Sequence, residues 1–248
     1  MIRKASVDAK AFSTALDQVS KVLRKSSIPV LSEVLVAISG GQCALTATDI
    51  ETWLFQKIPA RGDDLSFVFC KTKDVAKACR LFDGELELEF SDTGEGKYRS
   101  LTLCMRCGGR AVEFEAMAAE DYPVCAPIKA KASFAVNAAA LLKRVELVGY
   151  AAGKPASTER ATCGNVQFSG KYVFALDGTR LACDTDESLM APRPFMTYAE
   201  SLSHLRMFGD QEVTVELGER QGVITNGTAS IICLLYTSPS PRDRSVSR

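Results

Sequence analysis

The sequence predicts an α+β protein built from two copies of one domain, each with two helices packed on antiparallel sheets. Two observations carry this prediction. A strand that ends at an aspartate occurs twice, as LTATDIE at Asp49 and as ALDGTRLA at Asp177, 128 residues further on. Around each aspartate the order of elements is the same: an amphipathic helix, two strands that meet at the aspartate, a second helix, and alternating strands. Such self-similarity is typical of repeats, and we place the copies at about 1–124 and 125–235.

Composition favours a protein that is not embedded in a membrane. The chain has 248 residues, 46% of them hydrophobic, yet its apolar runs are too short to span a bilayer. The N-terminus, MIRKASVDAK, lacks the apolar core of a signal peptide, so we expect a soluble, cytoplasmic protein. The net charge is zero, which excludes a uniformly basic nucleic-acid binder and makes the distribution of charge the informative property.

The nine cysteines do not predict a disulfide framework, because their number is odd and no secretory signal precedes them. One CxxC motif is present, at Cys104 and Cys107 in an apparent strand that runs into a Gly-Gly turn. A zinc knuckle requires a second such pair, and a redox site requires the motif to open a helix. We therefore interpret them as strand cysteines that face the same way or flank the turn, with a thiol or zinc site as the alternative.

In the first copy, a helix is predicted from an N-cap at Ser6 to the residues before Pro29. Two strands, 34–38 and 43–47, form a hairpin through a Gly-Gly turn, and a third strand covers 52–59. A second helix is predicted over 72–82. The apolar stripe of the first helix consists of Phe12, Leu16, Val19 and Leu23. That of the second helix consists of Val75, Ala78, Cys79 and Phe82.

Charge is segregated in this copy. Lys73, Lys77 and Arg80 fall on one face of the second helix, whereas glutamates alternate with apolar residues in the strands at 85–90 and 112–115. Two interpretations stay open: both faces are simply solvated, or the basic helices meet a polyanion.

In the second copy, a strand at 134–136 leads to Asn137 as the N-cap of a helix on which Lys143 and Arg144 are predicted to be exposed. Its buried stripe is predicted to be Leu141, Leu142, Val145 and Val148. A mobile loop is expected at 149–158, followed by strands at 165–168 and 172–176. The sequence TYAE at 197–200 predicts a capping box that starts the fourth helix, on which His204 and Arg206 are the basic residues.

No catalytic constellation is evident. His204 is the only histidine, and none of the motifs GxSxG, HExxH or the Walker loop occurs. Asp49 and Asp177 belong to different copies, and each follows a strand as a turn-forming residue does. The sequence therefore predicts neither an enzyme nor a metal or cofactor site.

Taken together, these residues resemble the bacterial DNA polymerase III beta subunit, the sliding clamp. Four separated motifs in the family's order carry the resemblance: IPVL at 28–31, LTATDIE, EDYP at 120–123, and ALDGTRLA, which resembles the family's TDGHRLA. The resemblance implies the DNA-clamp fold, with helices inside and sheets outside a ring around duplex DNA. It implies a processivity factor of the DNA polymerase III complex rather than a catalyst, with DNA polymerase, clamp loader and repair proteins as partners that dock through short peptides.

The resemblance also implies site residues. The peptide pocket corresponds to Asp177, Gly178, Arg180 and Leu181, with Leu176 in place of the family's Thr, Thr179 in place of its His, and Cys163 at the position of a wall leucine. The replacements at Leu176 and Thr179 affect partner preference. For the DNA-binding surface, Lys25 matches a basic residue of the family, and the helix faces and adjoining loop add Arg24, Lys73, Lys77, Arg80, Lys143 and Arg144.

The family has three domains that close as a homodimeric ring, whereas two are predicted here. The residues from Tyr236 to Arg248, YTSPSPRDRSVSR, are rich in Ser, Pro and Arg, and we expect them to be disordered and non-native. We therefore expect a protein truncated after its second domain, which does not close a dimeric ring and binds peptides weakly because the family's third domain supplies the opposite wall of the pocket. The alternative is a two-domain clamp that closes as a trimer, as proliferating cell nuclear antigen does.

Overall fold

The computed structural model describes residues 2–94, 99–153 and 164–236. These residues group into two units, Met1–Ala126 with Gly227–Ser230, and Pro127–Asn226 with the chain from Ile231. The predicted first domain ends at 124, two residues before the boundary between the units. Of the loop predicted at 149–158, the part from residue 154 onward lies outside the described residues.

The two units contain the same series of elements. The first unit consists of β1 (Ile2–Asp8), α1 (Ala9–Val19), β2 (Leu35–Ser39), β3 (Gln42–Thr48), β4 (Thr52–Gly62), β5 (Leu65–Phe69), α2 (Thr72–Cys79), β6 (Glu85–Thr93), β7 (Ser100–Cys107) and β8 (Arg110–Met117). The second consists of β9 (Ala132–Asn137), α3 (Ala138–Gly149), β10 (Asn165–Gly170), β11 (Tyr172–Leu176), β12 (Leu181–Thr185), β13 (Ala191–Tyr198), α4 (Ala199–Ser203), β14 (Glu212–Leu217), β15 (Gln221–Thr225) and β16 (Ala229–Leu234).

The strand order is also the same in both units. In the first it is β1-β6-β7-β8-β5-β2-β3-β4, and in the second β9-β14-β15-β16 and β13-β10-β11-β12 are the corresponding series. A backbone bridge between Met196 and Tyr236 joins the end of β16 to β13, as the pairing of Met117 with Val68 joins β8 to β5. The duplicated architecture predicted from the two aspartate turns is therefore present in the pairing of the strands as well.

The helices contribute to the cores through the predicted stripes. Phe12, Leu16 and Val19 of α1 are buried, and Phe12 packs edge-on against Phe69 of β5, with 6.5 Å between ring centroids. On α3, the residues Leu141, Val145 and Val148 are buried, whereas Leu142 is half-buried. Burial of such side chains, each worth about 1.5–3 kcal/mol, is what holds these helices on the sheets.

The start of the first helix was predicted wrongly. Ser6 lies in β1, and the helix is capped instead by Asp8, whose carboxylate accepts a hydrogen bond from the Ala11 amide at 2.8 Å. The helix ends at Val19, ahead of a short 3-10 turn, so Leu23 is outside it. The N-cap predicted at Asn137 is confirmed, since its side chain accepts from the Ala140 amide at 2.9 Å.

These two caps give the register between the copies. Asp8 and Asn137 are 129 residues apart, and the same offset relates the buried pairs Phe12 with Leu141, Leu16 with Val145, and Val19 with Val148. By this register, Ala15, which is buried, corresponds to Arg144. The sequence also permits an offset of 126, which aligns residues 15–19 with residues 141–145. This offset is wrong for the helix, because it would place the cap Asp8 opposite Phe134 in β9.

The fourth helix also differs from its prediction. Thr197 and Tyr198 belong to β13, and α4 begins at Ala199 without a side-chain cap. The predicted capping box is therefore wrong. The strand continues as far as Tyr198 because Asn165 of β10 pairs with this residue, and that pairing overrides the local capping motif.

Tyr122 of the EDYP segment has a role within the first unit. The residue is only 4% exposed, and its hydroxyl lies 3.3 Å from the carbonyl oxygens of both Glu33 and Thr46. Burial raises the pKa of this phenol. The motif thus fixes the end of the first unit onto its sheet.

The units differ in whether the last strand of the series pairs with the first. In the first unit, β4 is 11 residues long, and its final residues 60–62 pair with β1 and close the ring. Gly62 has φ +109°, and a Cβ there would lie 2.4 Å from the Lys4 carbonyl oxygen, so only glycine fits this seam. In the second unit, β12 is five residues long and pairs, among the described residues, only with β11.

The end of the chain is described as far as Tyr236. The amide of Tyr236 donates to the Met196 carbonyl at 2.9 Å, and its ring packs against Tyr198 at 4.9 Å between centroids. The prediction that disorder begins at Tyr236 is therefore wrong for this residue. The rest of the segment predicted to be disordered, 237–248, lies outside the described residues. In the part of the chain that the structure describes, no helix is long and apolar enough to cross a bilayer.

Candidate functional site

The second helix of the first unit and its C-cap residue, Arg80, present the predicted basic face. The helix ends at Cys79, so its predicted end at residue 82 is wrong. Lys73, Lys77 and Arg80 are all exposed. Two of these side chains already have acidic neighbours, since Lys77 lies 3.1 Å from Asp74 and Arg80 lies 3.3 Å from Asp17 of α1. Exposed ion pairs of this kind are weak, so phosphate groups can compete for the cations.

Ion pairs connect both ends of α1 to the end of α2 and the loop after it. Lys10 near the start of α1 pairs with Asp83 after α2 at 3.1 Å, while Arg80 pairs with Asp17 near the end of α1. Among the residues that the structure describes, Lys73 has no ion-pair partner, so we expect it to be the most available cation of the three.

The loop after α1 carries Arg24 and Lys25, which are both exposed. The Arg24 Nε atom lies 3.2 Å from a carboxylate oxygen of Asp49. Ser32 shapes the loop, since its hydroxyl donates to the Arg24 carbonyl at 3.2 Å and accepts from the Ser26 amide at 3.1 Å. The two predicted DNA contacts therefore lie on a loop with defined internal hydrogen bonds, with Arg24 tied to the aspartate turn of its own unit.

The strands after α2 present the predicted acidic surface. Glu85 and Glu87 of β6 are exposed between the buried residues Leu86 and Leu88. Lys4 of β1 lies 2.8 Å from Glu89, which offsets part of this charge. In β8 the alternation holds less well: glutamates 113 and 115 are exposed, but the apolar residues between and before them are only half-buried.

In the second unit, the predicted pair of exposed cations on α3 divides into two different environments. Lys143 is exposed, as expected. Arg144 is not: its side chain is 28% exposed, and its guanidinium donates to Asp184 at 2.9 Å and to Asp186 at 3.1 Å. The prediction that Arg144 is exposed is wrong, because two carboxylates on β12 and in the turn after it hold its side chain against the sheet.

The aspartate turn of the second unit, residues 177–181, links β11 to β12. One oxygen of Asp177 accepts from the amides of Thr179 and Arg180 and from the Thr179 hydroxyl, at 2.8–3.0 Å. The other accepts from two nitrogens of the Arg180 guanidinium, at 2.8 and 2.6 Å. Gly178 adopts φ +94° at the tip. Asp177 is thus a turn former, as predicted, and it also orients Arg180.

Asp49 forms the matching turn in the first unit. Its carboxylate accepts from the Thr52 amide at 2.8 Å, and its own amide donates to the Thr52 carbonyl at 3.2 Å. Ile50 at the tip has φ +79°, a conformation that is uncommon for a β-branched residue. The interpretation of both aspartates as turn-forming residues is confirmed by these bonds.

Leu176 and Leu181 flank the turn as a cross-strand pair. Because side chains alternate along a strand, they lie on the face opposite the buried residues Ala175 and Ala182. Leu181 is 68% exposed, and Phe174 and Cys183 form the next pair on the same face. The sequence predicted only the turn motif and did not predict that the apolar face extends to Phe174 and Cys183. The predicted wall residue Cys163 lies outside the described residues.

The two residues of the CxxC motif do not converge. They are three positions apart on β7, so their side chains point to opposite faces: Cys107 is buried beside the Gly-Gly turn, whereas Cys104 is half-buried on the other side. Of the two predicted arrangements, the one in which both cysteines face the same way is wrong, whereas Cys107 does lie beside the turn. This geometry disfavours a site that uses both thiols. Among described residues, no group of three or more potential metal ligands lies together.

The hydrogen bonds at the turn give a prediction for acid conditions. Hydrogen bonds from Thr179 and Arg180 hold the pKa of Asp177 below its ordinary value of 3.8. A carboxyl whose pKa is lowered by folding stabilises the folded state above pH 3.8 and loses that contribution as the pH falls further. We expect the Asp177→Asn variant to show a shallower loss of stability between pH 5 and pH 2 than the parent, measured by urea unfolding, with Asp210→Asn as control. An identical pH profile would contradict the turn's role.

Comparisons with known proteins agree on the fold. Residues 4–126 match the family model described as DNA polymerase III beta subunit, N-terminal domain. The chain is similar in structure to the beta subunit of Pseudomonas aeruginosa, with a TM-score of 0.81, 18% identity, and coverage of 99% of this chain and 68% of that chain. No curated protein sequence gives a significant match.

Two further structures are similar to the same extent. The beta subunit of Thermotoga maritima has a TM-score of 0.76 and 22% identity, and the match covers 99% of this chain and 68% of that one. The sliding clamp of Bacillus subtilis has a TM-score of 0.80 and 16% identity, and the match covers 97% and 66%. At these identities, the structures establish the clamp fold of the chain.

Proposed function

We infer, from the premise that residues 4–126 belong to the family of the DNA polymerase III beta subunit, that this chain is a DNA sliding clamp. Such a protein is not a catalyst. It encircles duplex DNA and tethers the replicative polymerase for processive synthesis. The charges and surfaces of the chain support two contacts for this role, one with DNA and one with partner peptides.

The DNA contact is proposed on the basic faces of the helices. In the first unit, the exposed cations of α2 and of the loop after α1 lie on different elements from the exposed glutamates of β6 and β8. This separation of charge within one unit is the observation that carries the proposal, because a polyanion is attracted to one surface and repelled by the other. The proposed phosphate contacts are Lys25, Lys73, Lys77, Arg80 and Lys143, with Arg24 as a further contact when its pair with Asp49 opens.

Partner proteins are proposed to dock at the turn between β11 and β12. An extended peptide finds the exposed Leu181, the half-buried Leu176, and a guanidinium that Asp177 already orients. The Thr179 hydroxyl is engaged with Asp177, so this residue offers no free ring donor of the kind that the family's histidine supplies. We therefore expect apolar anchors to dominate the selection of partners here.

A binding experiment with the unmodified chain tests the DNA contact. Two fluorescein-labelled 30-base-pair duplexes of unrelated sequence should bind with equal affinity, because the contacts are to phosphate rather than to base edges. The logarithm of the association constant should fall linearly with the logarithm of salt concentration, by about 0.9 per phosphate contact. A strong preference for one duplex, or binding that does not respond to salt, would contradict the proposal.

A further inference from the structure

The pairing of Arg144 with Asp184 and Asp186 joins the helix face proposed for DNA to the hairpin proposed for peptides. Arg144 lies on α3 beside the exposed Lys143, and both aspartates are close to the end of β12. The aspartates are 28% and 14% exposed, so the three side chains are partly withdrawn from water. Two carboxylates held by one planar guanidinium make a rigid connection, because the fork fixes the geometry of both bonds.

Asp186 also closes the far end of the hairpin. Its amide donates to the Lys171 carbonyl at 2.9 Å, and its carboxylate accepts from the amide and the hydroxyl of Ser188, at 2.9 and 2.6 Å. Arg144 therefore holds the last residues of β12 together with the turn that follows them.

The first unit indicates why such a connection is needed. There the equivalent strand, β4, is more than twice as long as β12 and is held at its far end by β1. In the second unit, β12 has no second strand partner among the described residues. The position equivalent to Arg144 in the first unit is the small, buried Ala15. An arginine thus occurs in the unit in which β12 has one strand partner among the described residues.

The site that this connection supports is close by. Leu181 is the first residue of β12 and Asp184 is the fourth, so they are separated by roughly 10 Å along the strand. A short strand with a single partner is expected to open locally at low cost, and opening β12 would displace Leu181 and Arg180 together.

We propose that Arg144 is a positioning residue: its two ion pairs hold β12 against α3 and keep the turn 177–181 in the conformation that receives a peptide, so that it is not a phosphate contact. This proposal rests on the peptide-docking part of the proposed function. It assigns the two neighbouring cations of α3 to different tasks, with Lys143 directed to DNA and Arg144 to the hairpin.

The test compares Arg144→Ala, Arg144→Lys and Lys143→Ala with the parent. Hydrogen exchange of the amides at 181–185 is measured first, because it does not depend on any ligand. We expect Arg144→Ala to exchange about tenfold faster in this segment alone, Arg144→Lys to be intermediate because an ammonium cannot bridge both aspartates in a fork, and Lys143→Ala to match the parent.

Two binding measurements complete the test, with an acetylated, fluorescein-labelled hexapeptide carrying two leucines and a phenylalanine, and with a 30-base-pair duplex. Arg144→Ala should weaken binding of the peptide severalfold and leave the salt slope of duplex binding unchanged, whereas Lys143→Ala should leave peptide binding unchanged and lower the slope by about 0.9. Unchanged exchange at 181–185 in Arg144→Ala, or a slope lowered as in Lys143→Ala, would overturn the proposal.

A second variant covers the case in which Arg144→Ala does not fold. Asp184→Asn with Asp186→Asn retains the shapes of the side chains and the arginine while removing both ion pairs, and it should reproduce the faster exchange. If the parent binds no peptide, the docking part of the proposed function fails. The exchange data then still decide whether Arg144 holds the hairpin, so the two failures are distinguishable.

Discussion

Replacing Lys73, Lys77 and Arg80 together by glutamate is expected to weaken duplex binding strongly and to reduce its dependence on salt. Three phosphate contacts contribute about 2.7 to the slope of log K against log salt. The factor by which affinity falls between 50 and 200 mM salt should therefore be smaller in the variant than in the parent, by up to roughly 40-fold. The ion pairs of Lys77 with Asp74 and of Arg80 with Asp17 lower this figure, because those cations are already partly neutralised. Fluorescence anisotropy at the two salt concentrations measures the effect.

The matched control reverses three cations on the strands instead. Lys4, Arg106 and Arg110 lie on β1, β7 and β8, and replacing them by glutamate changes the net charge by the same amount. We expect this control to retain most of the affinity of the parent and nearly the same slope. Equal losses in both triple variants would mean that net charge, rather than the helix face, governs binding. Urea unfolding of each variant shows whether the fold is intact.

Removal of the exposed leucine is expected to have the largest effect on peptide binding. Truncating Leu181 to alanine removes an apolar contact worth about 2 kcal/mol, which corresponds to roughly 30-fold in affinity, and aspartate at this position should abolish saturable binding. Because the side chain is 68% exposed, the stability of the fold should change little. Isothermal titration with the leucine and phenylalanine hexapeptide measures the affinity.

Met190 provides the control for this experiment. Its side chain is 65% exposed, and it lies beyond the hairpin rather than beside the turn. Met190→Ala should bind the peptide as the parent does. Comparable losses in Leu181→Ala and Met190→Ala would indicate non-specific apolar binding, and the docking site would then have to be sought elsewhere.

The sequence predicted the parts of the fold that depend on local chemistry. The Gly40-Gly41 hairpin, the alternation of glutamate and leucine in β6, the cap at Asn137 and the two aspartate turns all depend on residues within a few positions of one another. Each of these patterns has one dominant structural interpretation, and the structure confirms each predicted feature.

The parts that it missed depend on contacts between distant residues. The segment Ile2–Asp8 becomes a strand because β6, some 80 residues later, pairs with it along its whole length, so Ser6 cannot act as a cap. The pairing of β13 with β10 overrides the capping motif at Thr197 in the same way. The partners of Arg144 lie 40 and 42 residues away, and nothing near this residue in the sequence distinguishes it from the exposed Lys143.

The candidate sites show the same division. The residues proposed to contact DNA and peptides follow from helical spacing and from a resemblance in the turn. Exposure of Lys73, Lys143 and Leu181 is compatible with that proposal. The ion pairs that reduce the available charge on α2, and the apolar extension of the turn through Phe174, required the three-dimensional arrangement of the strands and helices.

The most direct test of the central claim is to map where duplex DNA contacts the protein. A duplex with photoreactive groups on its phosphates is cross-linked to the unmodified chain, and the modified peptides are identified by mass spectrometry. The clamp account predicts cross-links in α2 and in the loop at Lys25, and in α3 at Lys143, with few in β6 and β8. Cross-links concentrated on the glutamate-bearing strands, with none on the helices, would contradict it.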